Sequence, residues 1–231
     1  EKIDIKINLA KEQLQLFGYD YYFSIFIDLF KKGKIPNCIL LSGAKGLGKS
    51  TFIYHLSNFL LTQNEKKKYS LDNFTIDESN YSYNLMKQNT HPNFFIVENN
   101  LYNKNIKIDQ IRDLLTFLEK STLYQEKKIV LIDNAENLNL NASNSLLKAL
   151  EEPRSNTYFF LIHNSSFKIL NTIKSRCTEF KIFFNNSQIN NIFEKMLKQY
   201  DFNNEMKNLV ENYYFETPGN LIKYVSFFND K

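Results

Sequence analysis

The residues best equipped for chemistry are Gly43-Ala44-Lys45-Gly46-Leu47-Gly48-Lys49-Ser50, followed by Thr51. They complete the pattern G-x-x-x-x-G-K-S. Glycines at this spacing let successive backbone N–H groups turn inward around phosphate oxygens, and a helix beginning at the end of the loop adds the positive pole of its dipole. Lys49 is expected to reach the β- and γ-phosphates of a nucleotide and Ser50 to hold Mg²⁺. Average composition yields the pattern by accident on the order of one time in a hundred in a chain of this length, so it carries weight. Gly43, Gly46, Gly48, Lys49, Ser50 and Thr51 form the candidate nucleotide-binding set. A loop that keeps this shape without its ligand is the plainer alternative.

A phosphate loop of this kind works with an acid at the end of a second buried strand. Ile129-Val130-Leu131-Ile132 runs into Asp133, the expected partner of Ser50 at Mg²⁺. In hydrolases of this type the next residue is often a glutamate that orients the attacking water. Here it is Asn134, and an amide cannot take the proton. Glu136 is a possible substitute, with a solvent-facing acid at a helix entrance as the other reading. A third constellation is NTIKSRCTEF at 171–180, where Arg176 taken alone reads as a surface or bridging residue.

These groups need elements to hold them. Cys38-Ile39-Leu40-Leu41 is a short apolar run of the kind found in strands covered on both faces, and it empties into the glycine loop. Helical spacing resumes from Phe52 to Leu61, a strand, loop and helix unit. Ahead of it, Tyr21 to Phe30 reads as a helix closed by Lys31-Lys32-Gly33. Ile108, Ile111, Leu114, Leu115 and Leu118 mark an amphipathic helix, and Asn141 to Glu151 a further one halted by Pro153. Order returns at Asn93 to Glu98, and Lys128 to Asp133 and Thr157 to Ile162 read as strands. Gln63 to Thr90 is the least regular segment, with Lys66-Lys67-Lys68 as a solvated turn.

Alternation of strands and helices from about 37 to 183 predicts a parallel α/β layer. Beyond Asn185 only helices are expected, at Gln188 to Tyr200, Asn204 to Tyr214 and Asn220 to Phe228. The expected division is an α/β domain over 1–184 and a small all-helical lid over 185–231.

Composition narrows the class without choosing a function. The 231 residues carry a net charge of +4, which permits contact with nucleic acid but does not argue for it. Cys38 and Cys177 are the two cysteines, too few for a disulfide framework or a four-cysteine zinc site. The longest apolar runs fall far short of a membrane span, so a cytoplasmic protein without membrane contact is expected.

The stretch LNLNASNSLLKALEEP, a strand, and then HNSSFKILNTIKSRC resemble the clamp-loader subunits of bacterial DNA polymerase III, members of the AAA+ group. The resemblance runs from about Phe17 to Phe184, with a weaker echo at ETPGNLIKY. It implies an AAA+ P-loop domain followed by a helical lid, with ATP or ADP and Mg²⁺ as possible ligands. It implies that Ser175-Arg176-Cys177 delivers Arg176, as an arginine finger, to ATP held by a neighbouring subunit of a five-membered ring. Asn164 aligns with a first sensor beside the γ-phosphate, and Pro218-Gly219-Asn220 with a second sensor where nucleotide-responsive relatives carry arginine after the glycine.

Motor-type and delta-type subunits are the implied ring partners, with a sliding clamp and primed DNA reached through the complex. The segment Gln63 to Thr90 lacks the cysteines of the zinc module found in many relatives, so no zinc site is expected. The phosphate loop is intact, whereas in some members it is degenerate. The collar domain of the family is expected to be missing after Lys231. The implied function is help in loading the clamp, with weak or absent turnover by the chain itself. The alternatives are an active motor ATPase of the same ring, against which Asn134 and Asn220 argue, and a stand-alone P-loop kinase, which leaves the SRC and LLKALEEP stretches unexplained.

Overall fold

A computed structural model describes residues 7–99, 105–120, 127–200 and 216–229. The expected helix Asn204 to Tyr214 lies outside the described residues.

Helix α1 (Asp20–Lys31) buries Phe23 and Phe26. It stops where Gly33 takes φ 63°, so that the amides of Gly33 and Lys34 reach back to the carbonyls of Phe30 (3.0 Å) and Leu29 (2.9 Å). Strand β1 (Cys38–Gly43) is buried along its whole length. It is followed by α2 (Lys49–Leu61), α3 (Tyr81–Lys87), β2 (Phe94–Val97), α4 (Ile108–Glu119), β3 (Lys128–Ile132), α5 (Leu140–Glu151), β4 (Thr157–Asn164), α6 (Asn171–Lys174) and β5 (Thr178–Lys181). The five strands form one parallel sheet in the order β2-β3-β4-β1-β5.

Both faces of this sheet are covered, which is why its inner strands read as unbroken apolar runs. The period of two sends successive side chains into different layers. Ile39, Leu41, Ile129, Leu131 and Phe160 enter the layer filled by Phe23, Phe26, Phe52 and Leu56 from α1 and α2. Cys38, Leu40, Val130, Ile132 and Leu161 enter the layer filled by Ile111, Leu114 and Leu146 from α4 and α5.

Some elements escaped the pattern reading, the helix α6 and the strand character of β2 among them. Within the polar segment, α3 forms because the Asn80 side chain accepts the Tyr83 amide at 2.7 Å and is itself tied to Glu65 at 2.9 Å. The edge strand β5 is four residues long, half exposed, and gives no apolar run.

Helix α7 (Asn186–Gln199) starts with a reciprocal cap: Asn185 Oδ1 accepts the Gln188 amide and Gln188 Oε1 accepts the Asn185 amide, each at 2.9 Å. Helix α8 (Pro218–Asn229) packs on α7, and Ile192, Phe193, Leu221 and Val225 extend the layer that holds Tyr19 and Phe52. Among the described residues no helix is long and apolar enough to cross a membrane.

Candidate nucleotide site and arginine edge

A parallel sheet brings the carboxyl ends of its strands to one edge, where ligands of such folds bind. Gly43 pairs with Asn164 and Ile132 with Leu161, so the glycine loop, Asp133 and Asn164 converge there. Gly46 and Gly48 take φ of 87° and 80°, a region that costs a side chain but not glycine. The loop is held from the core side by Tyr19, whose hydroxyl donates to the Leu47 carbonyl at 2.9 Å while its ring stacks on Phe52 at 4.6 Å.

The cation and the acid named from sequence both face this edge. Lys49 is 5% exposed, and its Nζ donates to the carbonyls of Gly43 (2.8 Å) and Ala44 (2.7 Å). Burial lowers its pKa to about 8, opposed by the carboxylates of Asp133 and Glu136. Ser50 Oγ donates to Asp133 Oδ2 at 2.8 Å. Burial raises the Asp133 carboxyl above the usual range, and the Ser50 hydrogen bond pulls the other way.

Glu136 stands in the 3-10 turn Ala135–Asn137, just past Asn134, which takes φ 58°. Its Oε2 accepts the backbone amide of Asn164 at 3.2 Å, so this acid is tied to the end of β4. Asn164 Oδ1 in turn accepts the Ser166 amide at 3.2 Å.

Over these groups lies a cleft of about 460 Å³. Its lining includes Lys45 to Thr51, Asp133, Asn134 and Asn164, and the apolar side chains of Leu9, Ala10, Phe17, Ile192, Met196 and Ile222. Sequence reasoning missed the apolar wall. Its residues come from the segment before α1 and from two C-terminal helices, and a spacing such as Ile192 and Met196 signals only a buried helix face.

The start of α8 rests directly on the glycine loop. Thr217 Oγ1 donates to the Lys45 carbonyl at 2.8 Å, and the Gly219 amide donates to the Gly46 carbonyl at 2.9 Å. A Cβ on Gly219 would stand 2.7 Å from that carbonyl oxygen, and one on Gly46 would stand 2.2 Å from Thr217 Oγ1. Asn220 donates locally to Glu216 at 2.8 Å, while Lys223, one turn further on, lines the cleft.

Arg176 does not join this group. It sits between α6 and β5, just before the residue pair Thr178 and Ile39, and so at the amino ends of the strands. The length of β1, roughly 20 Å for six extended residues, separates it from the glycine loop. Arg176 Nε donates to Glu151 Oε1 at 2.6 Å, Nη2 donates to the same oxygen, and Nη1 donates to the Thr172 carbonyl at 2.8 Å and to Ser175 Oγ at 3.3 Å. The neighbouring Cys177 and Cys38 are held protonated by burial, with pKa values pushed up to about 11 and about 12.

A parallel sheet flanked by helices, with a glycine loop between an inner strand and the helix after it, defines an α/β P-loop fold. The chain belongs to the family described as DNA polymerase III, delta subunit, whose model matches residues 20–186. It is 32% identical over 161 residues to the DNA polymerase III subunit delta' of Pseudomonas aeruginosa, covering 70% of this chain and 47% of that one. With the subunit delta' of Haemophilus influenzae it shares 38% identity over 109 residues, 47% of this chain and 33% of that one. The match therefore spans about half or less of the length of these curated relatives. The crystal structure of a DNA polymerase III gamma subunit-related protein from Thermotoga maritima has the same fold, with a TM-score of 0.50 at 19% identity over 82% of this chain and 61% of that one.

Proposed function

We propose that this chain acts in a cytoplasmic clamp loader as a subunit of the delta-prime kind. It helps place a sliding clamp on primed DNA, holds ATP or ADP with Mg²⁺ without rapid turnover, and presents Arg176 to nucleotide bound by the next subunit of a five-membered ring. The family and the relatives' names support the assembly. The observation that carries the division of labour is the position of Arg176, at the opposite end of the sheet from the chain's own Gly43–Ser50 loop. A guanidinium there serves a phosphate only if another molecule brings it.

The residues at the carboxyl edge fit a nucleotide. The cleft volume lies within the range of small-molecule sites. Ser50 and Asp133 offer a hydroxyl and a carboxylate 2.8 Å apart for Mg²⁺, and Lys49 offers a desolvated ammonium now resting on loop carbonyls. Thr51 and Asn164 complete the polar set, and the apolar side chains of the lining are there for the base. When bound, the nucleotide with Mg²⁺ supplies the phosphoanhydride bond and the charge that Lys49 and the loop amides neutralise. Turnover is slow because Asn134 stands where a base would stand, Glu136 is engaged by Asn164, and Asn220 brings no cation to the phosphates. The α/β domain over 1–184 and the lid over 185–231 act together through the contact of Thr217 and Gly219 with the loop.

A motor role is the second reading, favoured by the complete Ser50–Asp133 pair. One experiment separates the two. ATP hydrolysis by candidate ring partners, with clamp and primed DNA, is measured with and without this chain. A rise on adding a chain that is itself nearly inactive is expected. Brisk hydrolysis by the chain alone favours the motor, and no change in the partners' rate removes the clamp-loader proposal.

A further inference from the structure

The guanidinium of Arg176 is turned back on its own chain. Of its N–H donors, Nε and Nη2 both point at Glu151 Oε1, and Nη1 donates to the Thr172 carbonyl and Ser175 Oγ. A phosphate is gripped by two parallel N–H groups on one edge of the plane. The Nε–Nη2 edge is taken by Glu151. In this state Arg176 cannot offer its Nε–Nη2 edge as a bidentate fork.

The two sets of partners are not equivalent. Thr172 and Ser175 belong to the same turn as Arg176 and travel with it. Glu151 is the last residue of α5, a separate element, and draws the side chain across to itself. The pair is partly open to water, with side chains 29% and 47% exposed for Arg176 and Glu151, so the contact is weak enough to be exchanged.

We propose that Glu151 is a holding residue for Arg176: it stows the guanidinium until a neighbouring subunit brings phosphate, and delivery consists of trading the Glu151 carboxylate for that phosphate. This rests on the reading of Arg176 as an arginine that acts in trans. It assigns Glu151, within LLKALEEP, a role distinct from ending a helix. Glu151 lowers the fraction of assembled subunits whose finger is engaged, so its loss raises the stimulated rate. A residue that oriented the finger productively would do the reverse.

The test uses Glu151→Gln, which keeps shape and removes the charge. In the isolated ¹⁵N-labelled chain, the Nε–Hε signal of Arg176, assigned by its loss in Arg176→Lys, should exchange with water slowly in the wild type and faster in Glu151→Gln. In the reconstituted ring with clamp and primed DNA, Glu151→Gln should raise the ATPase rate about two- to fivefold, the span set by an exposed ion pair. The gain should vanish in the Arg176→Ala background. Equal exchange in wild type and Glu151→Gln overturns the holding contact. A rate that is unchanged or lower in Glu151→Gln, while Arg176→Ala still cuts it, overturns the stowing and leaves the finger standing. A rate unaffected by Arg176→Ala removes the finger and the holding role with it.

Discussion

Thr217 Oγ1 donates a 2.8 Å hydrogen bond to the carbonyl of Lys45, and through it the first turn of α8 is fastened to the glycine loop. The adjoining bond from the Gly219 amide to the Gly46 carbonyl leaves no room for a side chain at position 219, where a Cβ would meet that oxygen at 2.7 Å. Gly219→Ala should therefore lift α8 from the loop, at a cost of about 1–2 kcal/mol for the two bonds lost. Hydrogen exchange checks this. Amides of α8 should exchange about tenfold faster while those of β1 and β4 stay protected; unchanged exchange in α8 would contradict the contact.

Lys49 makes binding and stability depend on pH. Its folded pKa of about 8 lies below its ordinary 10.5, so between these values the unfolded chain holds more protons and stability rises with pH. Below pH 8 the cost of the buried charge is fully present. Phosphate beside the ammonium reverses this cost, so nucleotide binding near pH 8 should take up about half a proton. Calorimetry in buffers of different ionisation enthalpy measures the uptake, and Lys49→Met should abolish it. Binding without uptake would mean that phosphate does not reach Lys49.

The histidines at 55 and 91 should be silent near neutrality. His55 is fully buried, with Nε2 on the Gln13 carbonyl and Nδ1 on the Tyr69 hydroxyl, each at 3.0 Å. A carbonyl only accepts, so Nε2 carries the proton and Nδ1 accepts from Tyr69. Burial lowers the pKa of His55 to about 3 and that of His91 to about 4. As pH falls from 6.5 towards 4 the unfolded chain takes up protons that the folded chain refuses, and stability declines. NMR titration from pH 7.5 to 5 should move neither ring; an ordinary midpoint near 6.5 for His55 would contradict its burial.

Much of this arrangement is legible in the residues themselves. The loop at Gly43–Ser50, the acid at Asp133 and the strands before them announce themselves because a two-sided core and a phosphate cradle each demand a narrow set of residue types. What was hidden depends on contacts distant in sequence. The apolar wall of the cleft joins Leu9 to Met196, α3 depends on Asn80 meeting Glu65, and Arg176 meets Glu151 across 25 positions. Each of these side chains has an ordinary local reading, and only the fold brings the partners together. Glu136 is the instructive case: the sequence left it between a water-orienting acid and a solvent-facing one, and its contact with the Asn164 amide, 28 positions away, is visible only in the fold.

Arg176 is proposed to serve a nucleotide that this chain does not hold. The most direct measurement is the ATPase rate of the reconstituted ring, stimulated by clamp and primed DNA, for wild type, Arg176→Ala and Arg176→Lys. Ring assembly and the chain's own nucleotide affinity are followed in the same samples. The expected result is a loss of about 10³-fold or more at the served site for Arg176→Ala, little rescue by lysine because an ammonium lacks the planar fork, and unchanged assembly and affinity. A variant that assembles poorly yet hydrolyses normally once assembled at high concentration would contradict it, and would leave Arg176 as a bridging residue.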